Sequence, residues 1–458
     1  MSKKTFPVNA MVLAAGLGVR LRPLTEKMPK PLIPVGNCPM LKIVLDNLAE
    51  AGIKHFAINT HYLAEQIVDF VNASSYKTAV TTFHEPEILG TGGGPVNAKA
   101  MLSEHEYFII HNSDILTDIN LRKLLEHHFS SGNKITMAVL DGPENKLRVT
   151  PDGKIHDILD SLGCSPPGNR LLTYSGIMIL HRDIFRYLPQ QPENCSIIKA
   201  ILAMMAAEPG CAGAYLEENC YWNDLGTLPQ YFKAHHDVMI AKKLKLPAFF
   251  GIPEILVAND AKIDPTAELT GFVAVGSKSV INARAVLINC ILLEGAAVKA
   301  NDFHCNEIIM PDFCVHRNFH ELSRMKVLSG VDLKKQRLSS LQEQGSARGF
   351  YRVSNGEESK ILMVSDGMDQ DFERFIYIGR FLGQFDFPTP LIYACEPEEF
   401  TILTEDLGND TLSRLAFRHY NAEQLETVYR KGIDALVDFQ SRGTGLFIRN
   451  DAPILRNF

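Results

Sequence analysis

The sequence predicts an α/β fold whose amino-terminal part is a doubly wound, Rossmann-like sheet. The first observation is the apolar run 8–15, which is bounded by Pro7 and Gly16 in the manner of a buried parallel strand. The second is the regular alternation of strand-like and helix-like segments over the first 240 or so residues. The later expected strands are 54–59, 79–83, 107–111, 135–140 and 174–180, and the expected helices are 40–51, 63–72, 119–132 and 197–208.

Length and composition narrow the functional classes. The chain has 458 residues, 46% of them hydrophobic, and a net charge of −7. That length corresponds to about three domains, and the acidic balance argues against nucleic-acid binding and against a polybasic membrane surface. The nine cysteines show no Cys-x-x-Cys spacing, and no signal peptide is expected. We therefore expect a cytoplasmic protein with reduced thiols.

The sequence pattern changes after the predicted sheet. Proline and glycine residues within 242–253 indicate a linker. Short apolar pairs then recur every five to seven residues between 271 and 310. Such a period indicates a partial β-solenoid of about two or three coils. A hairpin of 350–353 and 360–364 follows a polar stretch and predicts a third, α+β region. The expected domains are 1–245, 246–333 and 334–458, and the last is predicted to contain helices at 369–385 and 422–440.

The first chemical motif directly follows the first strand. Gly16 and Gly18 allow a tight turn that brings backbone amides close to a phosphate chain, and Arg20 adds positive charge there. Lys30 stands between two prolines, which present it from a stiff loop. A dinucleotide fingerprint is excluded because no third glycine follows in register, and no Walker sequence occurs.

Taken whole, the segment 13–35 resembles the signature of the sugar-1-phosphate nucleotidyltransferases. The resemblance implies that the loop holds the phosphates of a nucleoside triphosphate, and that Arg20 and Lys30 stabilise the pentavalent phosphorus and the departing pyrophosphate. The loop residues implied as nucleotide-binding are Leu13, Ala14, Ala15, Gly16 and Gly18.

A second segment, 85–94, resembles the base-recognition loop of that family. The resemblance makes Glu85, Gly90 and Thr91 candidate nucleotide-binding residues. A carboxylate accepts hydrogen bonds, so Glu85 suits the N–H groups of guanine, but uracil N3–H is also a donor and the base stays open. The alternative for Glu85 is a surface carboxylate at the end of a strand.

Two aspartates resemble the metal-binding aspartates of the family. Asp114 follows a predicted strand in the sequence His-Asn-Ser-Asp, and Asp224 lies in the sequence Trp-Asn-Asp-Leu-Gly-Thr. Carboxylates at the carboxyl ends of strands can converge on one Mg²⁺, which prefers hard oxygen ligands. Taken singly, either aspartate could instead cap a helix.

The segment 173–177 resembles the sugar-pocket strand, and the implied sugar-binding residues are Asn112, Thr173 and Gly176. The best fit is to the N-acetylmuramate-1-phosphate uridylyltransferases, with mannose-1-phosphate guanylyltransferases close behind. The family's Glu-Lys-Pro triplet, which supplies a lysine for the sugar phosphate, is not found between 141 and 173. The sequence does not choose among the stand-ins Lys146, Arg148, Lys154 and Arg170.

The later segments carry two further resemblances. The run 271–310 resembles left-handed β-helix coils that follow the catalytic domain in several relatives, which implies packing or a homodimer contact. The stretches 345–353, 361–363 and 403–412 resemble the amino-terminal lobe of aminoglycoside-phosphotransferase-like sugar kinases, nearest to the anomeric kinases of N-acetylmuramate and N-acetylglucosamine. Because no catalytic His-x-Asp loop follows residue 440, no kinase turnover is expected, although a longer parent would make a sugar 1-phosphate and then activate it, as in cell-wall recycling.

Histidines and cysteines cluster near the end of the solenoid-like run, and a zinc site is one interpretation of this cluster. The spacing matches no standard ligand pattern, so core and surface roles are favoured for them. The residues concerned are Cys290, His304, Cys305, Cys314 and His316.

The resulting functional prediction is Mg²⁺-dependent nucleotidyl transfer from a nucleoside triphosphate to a sugar 1-phosphate, giving a nucleotide sugar and pyrophosphate. UDP-N-acetylmuramate or a related amino sugar is the expected product. The alternatives are a GDP-mannose-type guanylyltransferase and a non-catalytic regulatory subunit that binds nucleotide sugars. Nucleic acid and membranes are not expected partners.

Overall fold

The computed structural model describes residues 6–142, 146–158, 168–329, 331, 336–341, 348–355, 358–365, 369, 371–408, 422–443 and 445–446. The chain divides into two compact units, which are described separately. The first comprises Met1–Lys262, Leu269–Ser279 and Leu292–Gly295, and the second comprises Ile263–Glu268, Val280–Ile291 and Ala296–Phe458. Among the described residues, no helix combines the length and apolar character needed to cross a bilayer.

The first unit is built on a large mixed sheet. The strands of this unit are β1 (Val8–Leu13), β2 (Pro34–Val35), β3 (Cys38–Pro39), β4 (Phe56–Thr60), β5 (Val80–His84), β6 (Tyr107–Asn112), β7 (Ile115–Thr117), β8 (Ile135–Leu140), β9 (Leu147–Val149), β10 (Ile155–Ile158), β11 (Arg170–His181), β12 (Ala212–Leu216) and β13 (Trp222–Asp224). They include two separate two-stranded pairs, β2 with β3 and β7 with β13. The helices are α1 (Met40–Glu50), α2 (Ala64–Ala73), α3 (Gly90–Asn97), α4 (Lys99–Leu102), α5 (Leu121–Ser131), α6 (Ile197–Ala207) and α7 (Leu228–Met239).

Strand β1 lies in the middle of this sheet. It pairs in parallel with β4 on one side and β6 on the other, and β5 continues the parallel order beyond β4. Side chains of β1 enter apolar clusters on both faces: Met11 packs into one, and Ala10 and Val12 pack into the other. This two-sided burial explains why the strand reads as a continuous apolar run.

The α/β prediction is confirmed, with two differences of detail. The long strand β11 runs antiparallel to β6 and β8, so the sheet is mixed rather than uniformly parallel. The glycine-rich stretch that resembled a recognition loop forms helix α3, because its glycines permit close packing that a longer side chain would prevent. Helix α7 has no counterpart among the sequence predictions.

After α7 several strands pair in parallel with strands 17 or 18 residues further along the chain. In the first unit Ile255 pairs with Val273, and in the second Val280 pairs with Ala297 and Val286 with Phe303. Parallel pairing at a fixed interval is the pattern of stacked coils. The strands are β14 (Ile255–Val257), β15 (Lys262–Ile263), β16 (Glu268–Val275), β17 (Val280–Ile281), β18 (Val286–Leu292), β19 (Ala297–Val298), β20 (Phe303–Cys305), β21 (Glu307–Ile309) and β22 (Cys314–His316).

The second unit also contains a five-stranded antiparallel sheet. Its spatial order is β23, β24, β25, β27, β26, and the predicted hairpin is the β24–β25 pair. Parts of the stretches 345–353 and 403–412, and of the polar stretch 334–344, lie outside the described residues. The elements are α8 (Phe319–Leu322), β23 (Arg337–Ser340), β24 (Arg348–Ser354), β25 (Ser359–Ser365), α9 (Phe372–Gly383), β26 (Ile392–Glu396), β27 (Thr401–Glu405) and α10 (Ala422–Asp438).

Candidate active site

The loop after β1 is held at both ends. The Leu13 carbonyl accepts a hydrogen bond from the Ser113 backbone N–H at 3.1 Å, and the Ala14 N–H donates to Asn59 Oδ1 at 2.8 Å. Gly18 has a φ of +61°, which favours glycine, and its carbonyl accepts from Thr25 Oγ1 at 2.9 Å. The turn is therefore fixed by strand pairing and side-chain bonds before any ligand arrives.

The two predicted metal aspartates lie side by side. Strand β13 pairs antiparallel with β7 so that Asp224 stands opposite Ile115, and the Leu225 N–H donates to the Asp114 carbonyl at 3.0 Å. Both carboxylates reach the same ammonium: Lys30 Nζ is 2.5 Å from Asp114 Oδ2 and 3.9 Å from Asp224 Oδ1. Residues far apart in the chain thus converge at one point.

Arg20 completes this cluster from the glycine loop. Its Nη2 is 3.8 Å from Asp224 Oδ2, and its side chain is 63% exposed. A Cβ at Gly226 would lie 2.6 Å from that nitrogen, so Gly226 leaves the space that the guanidinium occupies. Two cations and two carboxylates therefore line one polar cleft beside the loop.

Comparisons with known proteins find similar sequences. The nucleotidyl transferase family matches residues 9–149. A mannose-1-phosphate guanylyltransferase of Mycobacterium tuberculosis is 28% identical over 302 residues, covering 65% of this chain and 82% of the relative. A probable mannose-1-phosphate guanylyltransferase 1 of Oryza sativa is 28% identical over 316 residues, covering 66% and 86% respectively.

These matches support the sugar-1-phosphate nucleotidyltransferase family for this chain. Among solved structures, HddC from Yersinia pseudotuberculosis complexed with GMP-PN is similar at 23% sequence identity with a TM-score of 0.41, covering 50% of this chain and 99% of that one. The nucleotidyl transferase match and the guanylyltransferase relatives support a transferase enzyme.

Glu85 differs from the expected base reader. Its side chain is fully buried; Oε1 accepts from Asn59 Nδ2 at 2.7 Å, and Oε2 accepts from the Leu89 N–H at 3.0 Å. Because Asn59 also holds the Ala14 N–H, these bonds form a relay from Glu85 to the glycine loop. This geometry supports positioning of the loop rather than direct contact with a base.

Gly90 and Thr91 open helix α3 and serve packing. A Cβ at Gly90 would lie 2.7 Å from the Cys195 carbonyl oxygen, and one at Gly93 would lie 2.1 Å from the Glu193 carbonyl oxygen. Thr91 Oγ1 accepts a hydrogen bond from the Ile197 N–H at 3.1 Å, at the start of α6. The glycines of this motif are thus explained by close backbone contact.

A cavity of about 190 Å³ lies beside the end of β1. Leu13, Thr91 and Asn112 from the predicted site line it, together with Lys146 and Tyr174. Its remaining lining is apolar: Ile110, Met137, Leu147, Ile158, Met178, Ile197 and Ile198. The volume suits part of a small ligand.

Residues of β11 border this cavity differently from expectation. Gly176 has a φ of +87°, and a Cβ there would lie 2.8 Å from Ile115 Cγ1 and 3.1 Å from Asn112 Nδ2. Thr173 is buried and packs against Gly142. The hydroxyl of Tyr174 is buried without a hydrogen-bond partner among the described residues, and burial raises the pKa of that hydroxyl.

The structure separates the four possible substitutes for the missing lysine. Lys146 lines the cavity. Arg170 is bound to Asp141 at 3.1 Å and Lys154 to Asn133 at 2.6 Å, and Arg148 lies in β9. Of these four residues, Lys146 is the one that lines the cavity.

His111 contributes no charge to the site near neutral pH. It is buried, and its ring Nδ1 lies 2.7 Å from the Asn112 carbonyl oxygen. Burial lowers the pKa of His111 to about 4. The cationic character of the cleft consequently comes from Lys30 and Arg20.

Sequence reasoning did not assign roles to Asn59, Tyr174 or Gly226, although Asn59 and Gly226 each carried a weak signal. Asn59 is a polar residue near the end of β4, whose first three residues are apolar, and is only 3% exposed. Gly226 follows the second aspartate in the motif. Neither signal specifies a contact without the fold.

Proposed function

We propose that this enzyme transfers a guanylyl group from GTP to a hexose 1-phosphate of the mannose type, releasing pyrophosphate. The observation that carries nucleotidyl transfer is the convergence of Asp114 and Asp224 on Lys30 beside a pre-organised glycine loop. The guanylyl and mannosyl choices are supported by the similar relatives from bacteria, plants and yeasts, which are named mannose-1-phosphate guanylyltransferases. The relatives give no such support to UDP-N-acetylmuramate as the product, and the GDP-mannose-type alternative fits them better.

The reaction is a single in-line displacement. An anionic phosphate oxygen of the sugar 1-phosphate forms a bond to the α-phosphorus, and the bond from that phosphorus to the bridging oxygen of pyrophosphate breaks. Because the nucleophile is already anionic, no residue has to remove a proton. Catalysis then consists of holding the two substrates in line and neutralising charge.

Asp114 and Asp224 are suited to hold a divalent cation. Their oxygens are hard donors, their side chains are 26% and 25% exposed, and both already face one positive charge, the Lys30 ammonium. When bound, Mg²⁺ would supply charge neutralisation at the phosphates and orient the triphosphate. The carboxylate pair also tethers Lys30, which keeps that ammonium beside the reacting groups.

Lys30 and Arg20 act on different parts of the substrate. Lys30 is only 13% exposed and is fixed by two carboxylates, so it neutralises charge at a set position. Arg20 is much more exposed and is free to follow the pyrophosphate as it departs. Backbone amides of the loop, held by Asn59, would contact the remaining phosphate oxygens.

The cavity beside β1 is the proposed sugar subsite. Lys146 would contact the sugar phosphate, while the Tyr174 hydroxyl and Asn112 would bond sugar hydroxyls. The Tyr174 hydroxyl is buried without a partner among the described residues, and such a group gains most from a ligand hydrogen bond.

We also propose that the strands between 255 and 309 form the coils of a short left-handed β-helix, and that the antiparallel sheet of β23–β27 is the kinase-like lobe. The supports are the parallel pairing at 17 or 18 residues and the five-stranded order. The homodimer contact and the cytoplasmic location stay predictions.

The test is pyrophosphate release by the full chain with each of GTP, UTP, CTP, dTTP and ATP, against mannose 1-phosphate, N-acetylmuramate 1-phosphate and glucose 1-phosphate. We expect the largest kcat/KM for GTP with mannose 1-phosphate. Preference for UTP with the amino sugar would restore the original expectation, and binding of nucleotide sugars without turnover on any pair would indicate a regulatory subunit.

A further inference from the structure

A buried polar cluster lies in the second unit, apart from the proposed active site. His304 in β20 is 3% exposed, Glu307 in β21 is fully buried, and Cys314 in β22 is partly buried. His304 Nδ1 is 2.7 Å from Glu307 Oε2. One ligand atom from each of the three residues lies within 4.8 Å of the other two.

Strand register explains why these side chains meet. Strands β21 and β22 pair antiparallel, with Glu307 opposite His316 and Ile309 opposite Cys314. Because side chains two residues apart on a strand share a face, Glu307 and Cys314 project to the same side. His304 lies in β20, and its ring reaches the same side, since Nδ1 is 2.7 Å from Glu307 Oε2.

Two further side chains that can donate to a metal, Cys290 and His316, lie next to Glu307. The Cys290 thiol is buried and receives a hydrogen bond from the Glu307 backbone. His316 is 2% exposed and stands opposite Glu307 in the pairing of β21 with β22.

The geometry points to a zinc site formed by His304, Glu307 and Cys314, which we propose as a metal centre of the second unit with its fourth coordination position left to water. Nitrogen, oxygen and sulfur donors together suit Zn²⁺, whereas Mg²⁺ and Ca²⁺ favour oxygen alone. Neighbouring donors around tetrahedral zinc are about 3.5 Å apart, so closure from the observed separations requires only side-chain adjustment.

The full burial of the Glu307 carboxylate is a second reason to propose a metal at this cluster. Burying Glu307 without compensation would be costly, and the His304 hydrogen bond offsets this in the metal-free chain. Zinc would displace the Cys314 thiol proton and leave the three donors around a dication. The spacing of the three residues matches no standard ligand motif, so only the strand register brings them together.

The test uses the full chain titrated with Co²⁺, as a spectroscopic substitute for Zn²⁺, in excess Mg²⁺ so that oxygen-only sites are occupied. We expect one equivalent of Co²⁺ to produce a near-ultraviolet thiolate-to-cobalt charge-transfer band, which Zn²⁺ then abolishes. His304→Ala should weaken Co²⁺ binding at least tenfold, and Cys314→Ser should remove the band. Cys395→Ser, from the same unit but outside the cluster, should retain both.

Two results would overturn the proposal: a parent chain that develops no thiolate band, or a band that persists unchanged in Cys314→Ser. The parent measurement decides the matter even if a variant does not fold. Glu307→Gln gives a further check, because it keeps the shape of the side chain while losing the negative charge, and we expect weaker zinc binding in a direct competition with a chromophoric chelator.

Discussion

At the scale of single residues, the carboxylate of Asp114 is expected to matter for turnover and little for folding. It is 26% exposed and contacts Lys30, so its replacement leaves the apolar core intact. We expect Asp114→Asn to lower kcat about 100-fold or more, the loss typical of removing one preorganised electrostatic contact. The measurement is pyrophosphate release together with thermal unfolding.

Asp141→Asn is the matched control for that variant. Asp141 is 73% exposed, and its ion-pair partner Arg170 is 54% exposed. Exposed ion pairs contribute little to stability, so both turnover and Tm should stay near the parent values. Equal activity in Asp114→Asn and Asp141→Asn would remove Asp114 from the catalytic group.

Gly16 and Gly18 lie two residues apart but should respond differently to alanine. No atom lies within 4 Å of a Cβ added at Gly16, whereas at Gly18 the φ of +61° is strained for alanine and Thr25 Cγ2 lies 2.8 Å away. We expect Gly16→Ala to change the free energy of unfolding by no more than about 0.5 kcal/mol while raising KM for the triphosphate. Gly18→Ala should cost about 1–2 kcal/mol of stability.

Urea unfolding and initial-rate kinetics of the two variants separate these effects. A Gly16→Ala enzyme with an unchanged KM for the triphosphate would mean that phosphates do not occupy the space above that residue.

Tyr174 provides a test of the sugar subsite. Its hydroxyl is buried without a partner among the described residues, so Tyr174→Phe should leave stability unchanged or slightly higher. If the hydroxyl bonds the sugar, KM for the sugar 1-phosphate should rise about two- to tenfold, while KM for the triphosphate stays constant. A matching rise in both KM values would instead indicate a general distortion of the cleft.

At the scale of elements, the relay from Glu85 through Asn59 ties the end of β5 and the end of β4 to the loop after β1. Glu85→Ala would leave the Asn59 amide and the Leu89 N–H without this partner. We expect a loss of about 1–3 kcal/mol in the free energy of unfolding and a higher KM for every triphosphate, with the ratio of kcat/KM for GTP and UTP preserved.

The ratio of kcat/KM for GTP and UTP distinguishes a positioning role of Glu85 from direct contact with the base. Collapse of the GTP preference in Glu85→Ala would show that the carboxylate contacts the base, contrary to the buried geometry. Glu87→Ala is the control, since Glu87 is exposed two residues further along the same segment.

At the scale of the whole molecule, the two compact units should respond differently to nucleotide. Hydrogen exchange followed by mass spectrometry, with a non-hydrolysable GTP analogue and Mg²⁺, should show slower exchange at 13–30, because loop amides and Lys30 become ordered by the phosphates. Peptides covering β24 and β25 should exchange at their unliganded rates. Protection of those strands instead would place nucleotide on the antiparallel sheet.

The alternating pattern of the first unit was predictable because local burial dictates it. Strand β1 and helix α1 agree with the sequence to within two residues at each end. The antiparallel direction of β11 was not predictable, since strand direction depends on partners far away in the chain. The helix at Gly90–Asn97 was missed because its glycines lower helix propensity, and close packing against the segment 193–195 outweighs that preference.

The sequence by itself determined the alternation of elements, the glycine turn and the types of residue needed for phosphate chemistry, because periodicity and motif spacing are local properties. Tertiary structure alone decided that Asp114, Asp224 and Lys30 share one cleft, that Lys146 rather than its three rivals lines the cavity, and that Glu85 is buried in a relay. Those outcomes depend on which strands pair and in what register, and register is fixed by packing among distant residues such as Ile115 and Asp224, which are 109 positions apart.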